Sequence, residues 1–110
     1  MQLNEYQLKV VETFSYTKKK TLLNPKMGLD SSDNRQVVWL GLAGEVGEVF
    51  EIVKKVIRDK GGNASIQDVS NIQLELGDVL WHIAAIAEMY GLNLEEVAQA
   101  NIEKLAVKQV

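Results

Sequence analysis

Four acidic residues stand in two pairs, Glu45 with Glu48 and Glu75 with Asp78, and their spacing suits the capture of a divalent cation. Each pair lies at i, i+3 and so shares one face of a helix. The first pair sits in VVWLGLAGEVGEVFEIV, residues 37 to 53, and the second in IQLELGDVLWHIAAIA, residues 72 to 87. Both stretches are apolar enough for core helices, where an ionised carboxylate without a partner is costly. If one helix runs to Lys60 and the next restarts near Ser65, Glu48 and Glu75 lie about 18 Å and about 15 Å from the turn. By the same rise per residue, Glu45 and Asp78 lie at about 22 Å and about 20 Å. An antiparallel hairpin therefore directs four carboxylates at one small volume. Their mutual repulsion raises their pKa values unless a cation is present. A hard, oxygen-seeking divalent ion, Mg²⁺ first and Mn²⁺ as a substitute, fits that donor set.

The elements that must hold these residues are helices. Residues 4 to 18 read as the first, with Asn4 and Gln7 in a capping-box pattern and Leu3, Tyr6, Val10 and Phe14 on an apolar face. Lys18, Lys19 and Lys20 follow, either a solvated C-terminal turn or a lure for polyphosphate. Residues 21 to 32, with the only proline, read as a loop long enough to be a lid. A second helix starts near Ser32 or Asp33 and ends at Lys60 before Gly61 and Gly62. The third carries a capping box, Ser65 with Asp68, and runs to about Tyr90 before Gly91. It is apolar around most of its circumference, so another subunit is expected to cover part of it. The fourth starts at Asn93 with Glu96 as its box partner. Gly41, Gly44 and Gly47 recur every three residues in the second helix, which suggests close approach by a neighbouring helix or a ligand.

Further polar residues fall near the carboxylates. Asn71, Glu75, Asp78 and His82 form one polar stripe on the third helix, where an apolar stripe is the rule, so this stripe reads as a site wall. His82, the only histidine, is expected to touch substrate or support a carboxylate rather than bind the ion, since hard cations prefer oxygen. Lys55 is either a phosphate contact or an i, i+4 partner of Glu51. Trp39 is either core or a platform for a base. Asn101 and Lys104 on the fourth helix suit a polyphosphate bridged to metal, or simply a half-exposed helix face.

With 110 residues the chain is read as one domain, 1–110, and all-α. The formal charge of −3 and pI near 5.1 give no general attraction to nucleic acid or anionic membrane. No cysteine, a polar N-terminus and no uninterrupted apolar run together predict a cytoplasmic, soluble protein. There is no P-loop, so phosphate recognition falls to metal and cationic side chains.

Glu45-x-x-Glu48, then 26 residues, then Glu75-x-x-Asp78, set in GLAGEVGEVFEIVKK and ELGDVLWHIAAIAEMYGLNLEEVAQANIEKL, resembles the MazG-like family of all-α nucleoside triphosphate pyrophosphohydrolases. The likeness covers about residues 36 to 106. It implies a four-helix protomer centred on the long antiparallel hairpin and completed as a homodimer or dimer-built tetramer. It also implies Mg²⁺-dependent hydrolysis of a (d)NTP to the monophosphate and pyrophosphate, in nucleotide-pool housecleaning. Glu45, Glu48, Glu75 and Asp78 would be the metal ligands, with Glu45 or Glu48 taking the proton of the attacking water, and Asn101 and Lys104 would face the phosphates. Two departures concern substrate contacts: His82 stands where close relatives commonly carry an aromatic residue, and the tail AVKQV lacks their basic ending. A phosphoribosyl-ATP pyrophosphohydrolase shares fold and carboxylates, and His82 four residues after Asp78 resembles it. A di-iron bundle would need two Glu-x-x-His elements, which one histidine cannot supply. A non-catalytic helical interaction module predicts solvated carboxylates that bind no metal.

Overall fold

A computed structural model describes residues 1–13 and 35–108, and among them it has four helices and no strand. They are α1 (Leu3–Glu12), α2 (Arg35–Lys60), α3 (Ile66–Met89) and α4 (Leu94–Lys108). The all-α expectation therefore holds. The proposed lid at 21–32, the three lysines and the start of α2 near Ser32 lie outside the described residues. The first helix is shorter than the expected 4–18: it ends at Glu12, where the Thr13 N–H turns back to the Val10 carbonyl at 3.0 Å. The described chain divides into two compact units, one holding α1, α4 and the end of α3 from Ala84, the other running from Val37 to Ile83.

In the second unit α2 and α3 run antiparallel. Lys60 Nζ meets Asp68 Oδ2 at 2.7 Å beside the turn, Glu45 groups with Glu75 and Asp78 further along, and Gly41 faces His82 beyond them. Four residues forward on α2, from Gly41 to Glu45, are answered by four back on α3, from His82 to Asp78. The turn is built from Gly61 and Gly62, whose φ values of 61° and 85° strain any residue with a Cβ. The Ser65–Asp68 box then starts α3. The Asp68 N–H donates to Ser65 Oγ at 3.0 Å, and the Ser65 N–H donates to Asp68 Oδ2 at 2.9 Å. Lys60 first, then the Ser65 backbone and hydroxyl, pull the Asp68 carboxyl from its usual 3.8 to about 2. Val38, Val56 and His82 are the buried residues of this unit.

In the first unit α1 packs on α4. Its buried residues include Val10, Ala84, Ala85, Ala87, Met89 and Leu94. The expected Asn4–Gln7 box does not form, because the N-cap of α1 is Gln2, without a side-chain cap bond. Gln7 is instead buried. Its Oε1 accepts from the Leu94 N–H at 2.7 Å, and its Nε2 donates to the Leu92 carbonyl at 2.8 Å and to Glu88 at 3.2 Å. One amide thus satisfies an orphan N–H at the start of α4. Gly91, at φ 67°, closes α3, with the Leu92 N–H reaching the Ala87 carbonyl at 2.8 Å and the Gly91 N–H reaching that of Glu88 at 3.1 Å. The Asn93 cap is present in half: Asn93 Oδ1 accepts from the Glu96 N–H at 3.2 Å.

Candidate functional site

Amphipathic α2 supplies Glu45, and the polar stripe of α3 supplies Glu75 and Asp78. One carboxylate oxygen from each lies within 4.8 Å of the other two. Glu45 and Glu75 are half-buried and Asp78 is exposed, so the group is open to solvent on the Asp78 side. Loss of water first, then the charges of Asp78, Glu45 and Glu48, push the Glu75 carboxyl above the usual carboxylate range. Burial is the larger cause, and the neighbouring like charges add to it. The donor set is all hard oxygen, which fits Mg²⁺ or Mn²⁺ and not a thiophilic metal. Glu48 is exposed and is not one of the three, although its charge still acts on Glu75. Three of the four carboxylates named by spacing are therefore gathered, and the fourth stands close by.

The remaining residues separate. His82 is buried, at 7% exposure, and its Nδ1–H donates to the Asp78 carbonyl at 2.9 Å. A carbonyl can only accept, which fixes the proton on Nδ1. Its ring lies against Gly41, and its bond is to the backbone of Asp78 rather than to a carboxylate. Trp39, on α2, is 41% exposed, open enough to stack on a ligand. Lys55 is exposed on α2 and does not take Glu51. Glu51 pairs with Lys54 instead, at 3.0 Å, and Lys55 contributes only its charge. Asn101 and Lys104 are exposed on α4, in the first unit.

The role of Gly41 was hidden among the three glycines. A Cβ there would lie 2.5 Å from His82 Nε2, whereas Gly44 and Gly47 face open space. The available signal was its register, one turn before Glu45 as His82 is one turn after Asp78.

The comparisons with known proteins bear on the same stretch. The family described as the MazG nucleotide pyrophosphohydrolase domain matches residues 34–109, which include all four carboxylates. The Gene 37 protein of Mycobacterium phage L5 is 36% identical over 96 residues, covering 86% of this chain and 84% of that protein. The uncharacterized protein YvdC of Bacillus subtilis (strain 168) is 55% identical over 31 residues, covering 28% of this chain and 29% of that one. No solved structure matches significantly. No helix among the described residues is long and apolar enough to cross a membrane. With carboxylates from facing helices converging and the family match spanning α2 to α4, the chain belongs to the MazG nucleotide pyrophosphohydrolase domain family.

Proposed function

We propose that this protein is a Mg²⁺-dependent nucleoside triphosphate pyrophosphohydrolase, with Mn²⁺ as a substitute ion, that converts a (d)NTP to (d)NMP and pyrophosphate in cytoplasmic nucleotide-pool housecleaning. The observation that carries this reading is the convergence of Glu45, Glu75 and Asp78 within 4.8 Å, in a chain of this family. These three would hold the ion, with Glu48 as the fourth ligand. A bound divalent ion supplies charge neutralisation on the phosphate oxygens and lowers the pKa of water. Glu45 or Glu48 accepts the proton of the attacking water. The water oxygen bonds to the α-phosphorus, the bond from that phosphorus to the bridging oxygen breaks, and pyrophosphate leaves. Lys55, Asn101 and Lys104 bind phosphate oxygens and Trp39 stacks on the base, while His82 supports the carboxylates. The active form is a homodimer or a dimer-built tetramer.

The test is a screen of ribo- and deoxynucleoside triphosphates with Mg²⁺, following pyrophosphate release and identifying the nucleotide product. Monophosphate and pyrophosphate in equal amounts are expected, with Glu48→Gln and Asp78→Asn reduced by about 100-fold or more. Release of orthophosphate, or no Mg²⁺-dependent product from any triphosphate, would refute the reading.

A further inference from the structure

His82 is held from three directions. Its Nδ1–H is bonded to the Asp78 carbonyl at 2.9 Å, its ring meets that of Trp81 edge-on with centroids 4.9 Å apart, and its Nε2 edge rests on Gly41. A Cβ on residue 41 would lie 2.5 Å from Nε2 and 2.9 Å from Cδ2, closer than real contacts allow. The ring cannot retreat without giving up the Asp78 carbonyl. Relief comes either at the modest net cost of that bond or from α2 moving off α3. Glu45 is one helical turn from Gly41, and Asp78 is one turn from His82. Whatever spaces the helices at the Gly41 layer also spaces the carboxylates in the next.

We propose that Gly41 and His82 form a positioning pair: the imidazole seated in the space of a missing Cβ sets the approach of α2 to α3, and with it the closure of the Glu45, Glu75 and Asp78 group on its ion. His82 then acts through the backbone of Asp78 and not on the nucleotide. The inference rests on the metal-site reading of the three carboxylates.

The experiment measures Mn²⁺ binding by electron paramagnetic resonance on the whole chain without nucleotide, so that it does not depend on activity. Gly41→Ala is expected to weaken Mn²⁺ binding by about tenfold or more with helix content unchanged by circular dichroism. In a His82→Ala background the same Gly41→Ala change is expected to cost less than about twofold, because the obstruction is gone. At saturating Mn²⁺, His82→Ala lowers kcat and leaves KM for the nucleotide unchanged. If Gly41→Ala alone fails to fold, recovery of folding and Mn²⁺ binding in the double variant supports the pair, and failure of both overturns it. Unaltered Mn²⁺ affinity in Gly41→Ala, equal losses in the two backgrounds, or a raised KM with normal Mn²⁺ affinity in His82→Ala would each overturn it as well. Glu45→Gln separates this from the metal reading: if that variant binds Mn²⁺ as the parent does, the ion site itself is wrong, whatever Gly41 does.

Discussion

Glu75 sits between two opposed demands, because the charges that crowd it are the ones a divalent ion needs. Desolvation, then Asp78, Glu45 and Glu48, push its carboxyl above 4.5. A carboxyl whose folded pKa lies above its unfolded one binds its proton more tightly when folded. Its favourable contribution is therefore present below the unfolded value and lost as pH rises through the folded one. Above the folded value the ion-free protein carries that repulsion. Glu75→Gln removes one of the charges while keeping the side chain's size, so two effects of opposite sign are expected. The melting temperature of the metal-free protein near pH 7 stays level or rises. The gain in melting temperature on adding Mg²⁺ disappears, and Mn²⁺ affinity falls by about 100-fold or more. Thermal shift with and without Mg²⁺ checks both. A variant that melts lower than its parent without metal, yet keeps the Mg²⁺ gain, would mean that the three carboxylates do not act as one group.

The hairpin that brings these residues together depends on the start of α3, where Asp68 accepts from Lys60 and from Ser65 at once. Those donors stabilise the ionised form and hold its pKa near 2 against a usual 3.8. The sign follows: the contribution is complete above about 4 and is lost as pH falls through about 2. Asp68→Asn is expected to melt below its parent at pH 7, with the difference shrinking as pH is lowered from 4 toward 2. A difference independent of pH over that window would show that the charge contributes nothing. The box itself was legible in the sequence because its partners are three residues apart. The hairpin register was legible too, since helix rise alone put Glu45 level with Asp78. Gln7 was not. The Asn4-x-x-Gln7 pattern fits a local cap, but the glutamine amide is spent on Leu92 and Leu94, more than 80 residues away. No local pattern encodes such a bond. His82 was legible as a site neighbour by its place on the stripe, whereas its burial against one glycine of three depended on which face of α2 meets α3. Glu48 could be placed at the right height by helix rise, but which of the four carboxylates turn into one group could not.

Several large apolar side chains of the second unit are exposed on the single chain. On α2, Trp39, Ala43, Val46, Phe50, Val53 and Ile57 alternate at four and three residues, the seam spacing of paired helices. Phe50 is 67% exposed and Ile57 65%. On α3, Val69, Leu76, Leu80 and Ile83 make a second stripe, with Val69 and Leu76 more than half exposed. A soluble monomer rarely leaves contiguous patches of this kind uncovered. The seams belong to one unit of the same chain, so the simplest cover is a second copy across a two-fold axis, where each side chain at the centre counts twice. Burying one phenylalanine is worth about 1.5–3 kcal/mol. Phe50→Glu removes that from both subunits and places a charge in the seam. The parent is expected to sediment at a multiple of 12.3 kDa and Phe50→Glu at the monomer mass, with a lower melting temperature. Glu45, Glu75 and Asp78 come from one chain, so Mn²⁺ binding by the Phe50→Glu monomer measures how far the subunit contact props up the hairpin. Weakened binding together with dissociation ties assembly to the site, and a parent that sediments at 12.3 kDa at micromolar concentration removes the second copy from the account altogether.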